Sequence, residues 1–281
     1  MEHRKEGNML AEMLKNLRER KPVIHNITNY VTANDCANLL LACGASPVMA
    51  DDVSEVEEIT AGCDGLTLNL GTLHSHTIAS MHLAGKRSNE LQHPVVMDPV
   101  GVGASKFRAE AVQSLLEEIQ FTVIRGNHSE LRSMASGQEI MRGVDATRED
   151  AVCEGTLEKN VIFLRQFAKQ MHTIAVMTGA IDIVSDGDRT YCIRNGHSMM
   201  ETVTGAGCQL SSMITAFVSA NPDHLLEAAV AAACAMGLAG EIAQAALSRN
   251  EGNATYRTAI IDAIYRMTPE LLEKGARYEV R

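Results

Sequence analysis

Short apolar runs, each ended by a polar residue or a turn, recur between residues 22 and 179, and they limit the folds open to this chain more than any other feature. Because the runs are apolar on both sides, they predict strands that are buried on both faces. Helical stretches lie between most of them, which predicts an α/β fold with a mostly parallel central sheet and helices on both faces. The runs occupy residues 22–29, 46–50, 65–71, 94–99, 121–127 and 173–179.

The pattern changes after this series of runs. Residues 181–196 alternate in polarity around a central Asp-Gly-Asp turn, which predicts an antiparallel hairpin added at one edge of the sheet. Ser54 followed by Glu57 is a capping-box pattern and predicts that a helix starts there. The spacing of apolar residues predicts further helices over 9–19 and near 207–220 and 224–247.

Composition restricts the possible partners and compartments. The net charge of −10, the pI near 5.5 and the absence of Trp disfavour nucleic-acid binding. The longest apolar run, residues 228–240, is too short to span a bilayer and predicts a buried core helix. Seven cysteines without a CxxC pair, and no signal-peptide core, favour reduced thiols in the cytoplasm. No linker or repeat is present, so we expect one domain over 1–281.

Polar residues cluster at the carboxyl ends of the expected strands. One such residue usually only forms a turn, but in open α/β sheets the ligand binds in the crevice outside these ends. Six together therefore indicate a ligand site rather than six unrelated turns. They are Asn26, Asn69, Asp98, Arg125, Asn127 and Thr178.

The segment Gly205-Ala206-Gly207-Cys208 directly precedes an apolar helix. Backbone amides at such a helix start can form an anion hole suited to phosphate. A buried cysteine is usually only a small apolar residue. Here the helix dipole is expected to lower the pKa of the Cys208 thiol, which makes that residue a candidate base or nucleophile.

Other residues could bind phosphate or metal. Arg125 at a strand end is a candidate phosphate clamp. Glu130 and Asp98 could form a carboxylate pair for Mg²⁺. Alternatively, Glu130 could have no role beyond starting the following helix. His128 has no histidine partner at ligand spacing. The chain has no Walker A sequence and no GxGxxG pattern after a strand, which excludes a P-loop NTPase and disfavours a Rossmann dehydrogenase.

Several motifs between about residue 20 and about residue 245 occur together in one order. These are His25-Asn26-Ile27-Thr28-Asn29, residues 41–50, 69–73 and 97–103, Arg125-Gly126-Asn127 with Glu130, residues 143–145, Thr178-Gly179 and 205–208. In these motifs and their order the chain resembles the hydroxyethylthiazole kinases, thiamine-salvage enzymes of the ribokinase-like superfamily.

The resemblance implies ATP-dependent phosphorylation of the primary hydroxyl of 4-methyl-5-(2-hydroxyethyl)thiazole. It further implies a homotrimer with substrate sites between subunits and a ribokinase-like fold without the β lid of sugar kinases. Cys208 occupies the place of the superfamily's aspartate base. The other implied roles are substrate binding by Met49 and Gly205, ATP binding by Arg125 and Thr178, and Mg²⁺ binding by Asp98 and Glu130.

Three alternatives remain open. The first is another ribokinase-like kinase, such as one for hydroxymethylpyrimidine. The second is a hydrolase with Cys208 as nucleophile, which would need a histidine base nearby. The third is a catalytically silent sensor of thiazole and nucleotide.

Overall fold

The structure is a computed structural model that describes residues 8–137 and 152–281. The motif at 143–145 lies outside the described residues. The strands are β1 (Val23–Ile27), β2 (Ser46–Met49), β3 (Gly65–Asn69), β4 (Val95–Asp98), β5 (Val123–Asn127), β6 (Ile174–Thr178), β7 (Asp182–Ser185), β8 (Thr190–Ile193) and β9 (Tyr278–Val280).

These described strands form one sheet in the order β2-β1-β3-β4-β5-β6-β7-β8-β9. Strands β1 to β6 pair in parallel, and β7, β8 and β9 add antiparallel pairs at one end. The mostly parallel sheet is therefore confirmed. All nine strands belong to this sheet, so within 8–137 and 152–281 no strands are left over to form a lid.

Helices cover both faces of the sheet, as the sequence predicts. Along β6, alternate side chains enter two different apolar clusters: Val176 packs with one, and Ala175 and Met177 with the other. The helices are α1 (Met9–Arg20), α2 (Ala33–Cys43), α3 (Val56–Ala61), α4 (Ser75–Glu90), α5 (Lys106–Glu118), α6 (His128–Gly137), α7 (Leu157–Met171), α8 (Ala206–Ala220), α9 (Leu225–Ala246), α10 (Asn253–Arg266) and α11 (Pro269–Gly275).

Two local details differ from the sequence-based expectations. The hairpin β7–β8 forms as predicted, but β9 pairs with β8 on its outer side and adds an unanticipated third antiparallel strand. The capping box at Ser54 is wrong, because α3 begins only at Val56. The Ser54 hydroxyl donates to Asp52 Oδ1 at 2.6 Å instead, which closes a local turn before the helix.

Helix α9 is the one described helix whose length and apolar composition would suffice to cross a membrane. Of its most apolar window, 78% is buried within the protein. It contacts α8, α10 and the strands β6, β7 and β8. The predicted core helix is thus confirmed, and its hydrophobicity is explained by burial on all sides.

The N-terminal helix α1 packs against helices from the C-terminal part of the chain. Its buried side chains Leu10, Met13, Leu14 and Leu17 pack into the core cluster that contains α8 and α9. The Ala11 N–H also donates to Glu273 Oε2 of α11 at 3.0 Å. Helix α1 is therefore part of the core.

Candidate active site

The polar residues that the sequence places at strand ends do meet along one side of the sheet, at the carboxyl ends of its parallel strands. Asn69, Asp98, Asn127 and Thr178 are the last residues of β3, β4, β5 and β6. Asn26 is different, because it lies inside β1 and bonds to Ile24 O at 3.0 Å and to the Ser212 hydroxyl at 2.9 Å. Its role is to connect β1 to α8 inside the protein.

The carboxylate of Asp98 is fully buried at the centre of this edge. Its Oδ2 accepts from Asn69 Nδ2 at 2.8 Å and from the Ser211 hydroxyl at 2.9 Å. Arg125 Nη1 lies 3.4 Å from its Oδ1. Burial raises the pKa of Asp98, whereas the Arg125 charge lowers it and the Glu130 charge raises it again.

The guanidinium of Arg125 is held between the sheet and α8. Its Nη2 donates to the Thr178 hydroxyl at 2.8 Å. A Cβ placed on Gly207 would overlap the guanidinium, so Arg125 lies directly against the first turn of α8. Its Nε is buried and has no hydrogen-bond partner in the part of the chain that the structure describes. A cation and a helix N-terminus therefore lie side by side, and both favour a bound anion.

Gly205 forms the turn that aims this helix. It is the N-cap of α8 with φ of 79°, a left-handed conformation that favours glycine. A Cβ at this position would also overlap the side chain of Thr32. The first amides of a helix have no partner within the helix, so residues 205–208 can act as the anion hole that the sequence suggests.

Cys208 lies in the first turn of α8 and is 9% exposed. Asn29 Nδ2 donates to its Sγ at 3.4 Å. Burial raises the pKa of the Cys208 thiol, and the nearby Asp98 charge raises it further. The expectation that the helix start lowers this pKa is therefore wrong, because desolvation and a like charge outweigh the favourable dipole.

Glu130 caps the start of α6. Its Oε2 accepts from the Asn127 N–H at 2.8 Å, while Asn127 Oδ1 accepts from the Glu130 N–H at 2.9 Å. Its Oε1 accepts from the Gly101 N–H at 3.0 Å. The reciprocal pair is a capping box, and each carboxylate oxygen keeps further lone pairs for a ligand. Within the described ranges, no three His, Cys, Asp or Glu residues form a metal-binding group.

Met49 lies apart from this group. It ends the edge strand β2 and is 39% exposed. Strands β1, β3 and β4 separate β2 from the β5 strand that carries Arg125. Within one subunit, the structure does not bring Met49 and Arg125 together.

A cavity of about 380 Å³ opens beside Arg125, between the end of β6 and the helices α8 and α9. Asp182, at its wall, accepts from the Gly179 N–H at 2.9 Å, and burial raises the pKa of this carboxyl to about 6. Sequence analysis missed Asp182, Asn29 and Ser211, because only the folded chain brings them to the site. The cavity lining includes Arg125, Thr178, Asp182, Met200, Leu210 and Met236.

Solved kinases share this architecture. The pyridoxal kinase of Staphylococcus aureus, solved in complex with AMP-PCP, superimposes with a TM-score of 0.58 at 16% identity, covering 92% of this chain and 97% of that chain. At this identity the likeness concerns the fold alone. The fold is that of the ribokinase-like kinases.

The sequence comparisons are more specific. The model of the hydroxyethylthiazole kinase family matches residues 14–270. This chain belongs to the hydroxyethylthiazole kinase family. The hydroxyethylthiazole kinase of Clostridium acetobutylicum is 53% identical over 271 residues, covering 96% of this chain and 99% of that protein. That of Clostridium beijerinckii is 43% identical over 265 residues, covering 94% and 95%.

A solved relative extends the agreement to the structure. The hydroxyethylthiazole kinase of Pyrococcus horikoshii superimposes with a TM-score of 0.87 at 34% identity, covering 98% of this chain and all of that chain. The resemblance that the motifs indicate is thus confirmed over nearly the whole chain.

The raised pKa of Asp182 predicts a pH-dependent effect on stability. The carboxyl has a pKa of about 6 in the folded protein and about 3.9 when unfolded, so the folded state binds more protons between these values. Its contribution to stability falls as pH rises through this window. Asp182→Asn should therefore increase the free energy of unfolding by about 1–2 kcal/mol at neutral pH, and by less near pH 5.

Urea unfolding at both pH values measures this difference. Asp188→Asn is the control, because Asp188 is 83% exposed and a hydrogen bond from Lys169 lowers its pKa. The control should show no gain at neutral pH. An Asp182→Asn variant with the same change in stability at both pH values would contradict the assignment.

Proposed function

We propose that this protein transfers the γ-phosphate of ATP to the primary hydroxyl of 4-methyl-5-(2-hydroxyethyl)thiazole, a reaction of thiamine salvage. The observation that carries the proposal is the Arg125 guanidinium held against the first turn of α8, beside Asp98 and Cys208. Phosphoryl transfer depends on positioning and charge neutralisation more than on covalent chemistry. Membership of the hydroxyethylthiazole kinase family supports the choice of substrate.

The nucleotide is proposed to occupy the cavity beside Arg125. Its phosphates would lie at the anion hole of residues 205–208, near Arg125 and Thr178. The side chains of Met200 and Met236 give the far wall an apolar surface suited to a base. The AMP-PCP complex of the similarly folded S. aureus pyridoxal kinase supports a nucleotide site in this fold.

Coupled measurement of ADP release tests the function directly. The thiazole alcohol should support ADP release that depends on Mg²⁺. Hydroxymethylpyrimidine as the better substrate would favour the other kinase. Binding of thiazole and nucleotide without turnover would favour the sensor. A hydrolase would cleave an acyl substrate without ATP.

Asp98 and Glu130 fit a magnesium site in which the protein supplies few of the ligands. Mg²⁺ commonly takes one or two carboxylates, with phosphate and water oxygens completing the shell. Glu130 keeps free lone pairs beside its two backbone contacts, and among the described residues Asp98 Oδ1 has only the long Arg125 contact. When bound, the ion would neutralise phosphate charge.

The metal assignment predicts specific losses. Asp98→Ala and Glu130→Ala should raise the Mg²⁺ requirement or abolish turnover while the protein stays folded. Asp98→Asn should be tested as well, because Ala leaves Arg125 without its buried counter-charge. Glu117→Ala, in helix α5, serves as the control. Mg²⁺ titrations that match wild type in both Asp98 and Glu130 variants would refute the assignment.

Cys208 is proposed as the general base. The alcohol is a weak nucleophile until its proton is removed, and the thiolate of Cys208 would accept that proton as the oxygen attacks the γ-phosphate. The raised pKa makes the thiolate scarce at neutral pH. The rate should therefore keep rising with pH above about 8.5, the ordinary thiol pKa.

Substitution separates a base from a nucleophile. Cys208→Ala should lower kcat by about a hundredfold or more, the scale of a lost general base. Cys208→Asp should retain kinase activity and shift the pH–rate profile to lower pH, because a carboxylate ionises earlier. A covalent nucleophile would give a trappable adduct and no rescue by Asp. If Cys208→Asp is as inactive as Cys208→Ala, the base assignment fails.

A homotrimer is proposed because the resemblance to the hydroxyethylthiazole kinases implies one, and the open edge of the sheet at β2 offers a surface for a second copy. The β2 edge has no neighbouring strand among the described residues. A second copy would cover it and shield the transferred phosphoryl group from water. It would also give Met49 a neighbouring subunit, consistent with substrate sites between subunits. The exposed apolar residues of the segment 30–53, which contains β2, are Tyr30, Val31, Leu41, Met49 and Val53.

Light scattering should give the mass of a closed trimer with cyclic symmetry. Leu41→Asp, at a side chain that is 58% exposed, should dissociate the trimer and lower activity. Tyr265→Asp, on helix α10 and 71% exposed, should leave the assembly intact. A fully active monomer at assay concentration would refute the proposal.

The proposal treats residues 1–281 as one kinase domain in the cytoplasm. All described strands belong to one sheet, which supports a single domain. All seven cysteines are free thiols, which is typical of a reducing compartment.

A further inference from the structure

The chain between β8 and α8 forms one wall of the cavity beside Arg125. Asn195, Gly196, Ser198 and Met200 all line it. This wall has no strand of its own to hold it, since β8 ends at Ile193 and only a 3₁₀ turn, Ser198–Thr202, follows. Its position must therefore be fixed by contacts with other elements.

Glu241 of α9 supplies one set of these contacts. Its Oε1 accepts from the Gly196 N–H at 2.7 Å and from Asn195 Nδ2 at 3.2 Å. A Cβ on Gly237, one turn earlier, would overlap the backbone of Asn195. The wall thus rests directly on the surface of α9.

Arg277, just before β9, supplies the other set. Its guanidinium makes two bonds of 2.9 Å to the Glu241 carboxylate, and its Nη2 also donates to Arg194 O at 2.8 Å. Its backbone N–H donates to Asn195 Oδ1 at 2.7 Å. We name Arg277, Glu241 and Asn195 the C-terminal latch.

We infer that the C-terminal latch positions the cavity wall for the nucleotide, so that Arg277, which directly precedes β9, contributes to the affinity for ATP. This inference rests on the proposed function, because it takes the cavity to be the nucleotide site. Arg277 is 55% exposed, and an exposed ion pair adds little stability by itself. Its planar, two-pronged contact instead fixes the orientation of Glu241 and hence of the Gly196 N–H.

The test separates positioning from stability. Arg277→Ala should raise KM for ATP by about three- to tenfold, with kcat and KM for the thiazole alcohol near wild type, because the latch holds Asn195 and Gly196, which line the nucleotide cavity. Arg277→Lys should be intermediate, since an ammonium cannot make the two-pronged contact. Glu241→Gln should be milder than Glu241→Ala, because the amide oxygen can still accept from the Gly196 N–H.

Arg281→Ala is the matched control. Arg281 directly follows β9, as Arg277 directly precedes it, but Arg281 pairs with Glu158 and Glu279 and does not line the cavity. The control should leave KM for ATP unchanged. Combining Arg277→Ala with Glu241→Ala should add little to Glu241→Ala alone, because the two residues act as a unit.

Calorimetric binding of MgADP distinguishes the two proposals. Weaker binding by folded Arg277→Ala, with normal binding by Arg281→Ala, supports the latch even if the thiazole alcohol is not phosphorylated. Unchanged binding and unchanged KM for ATP in Arg277→Ala overturn it while the kinase function stands. A fall in kcat together with an equal rise in KM for both substrates also overturns it. So does a fall in unfolding temperature with no change in KM for ATP. Wild-type protein that fails to bind MgADP overturns it too.

Discussion

The buried carboxylate of Asp98 is the interaction on which the arrangement of the candidate site depends. A charge at the centre of a protein is unfavourable unless hydrogen bonds and a counter-charge surround it. Asn69 of β3, Arg125 of β5 and Ser211 of α8 provide them. The groups that make this burial possible thus tie two strands and a helix to β4, and they also orient the cation and the helix N-terminus that face the ligand crevice.

This arrangement explains why much of the fold and site could be predicted from the sequence. A buried parallel strand is apolar throughout and must end where polar groups reach solvent or ligand. A short stretch of sequence therefore shows both the strand and the polar residue that ends it. On that basis the sequence predicts that Asp98 and Thr178 lie at strand ends, and the structure places them at the ends of β4 and β6. The Gly-rich start of α8 is equally local, since Gly205 adopts a left-handed turn directly before the helix.

The features that were missed depend on distant parts of the chain. Strand β9 has three residues, too few to show a period, and it exists because β8 offers it an edge. The Ser54 hydroxyl donates to the nearby Asp52 carboxylate and does not cap the backbone N–H groups at the start of α3. The pKa of Cys208 was misjudged because the helix dipole can be inferred from sequence, whereas the burial of the thiol and the nearness of Asp98 cannot. Asn195 and Arg277 are 82 residues apart, so no local pattern connects them.

The packing of α1 has a consequence for how the protein is made. Its apolar face is buried against α8, α9 and α11, which lie in the final third of the chain. Helix α1 is therefore synthesised well before these partners exist. Until then, Leu10, Leu14 and Leu17 have no native surface to cover them. This part of the core can form only after α8, α9 and α11 have been made, and a chain truncated before α8 would leave the apolar face of α1 exposed.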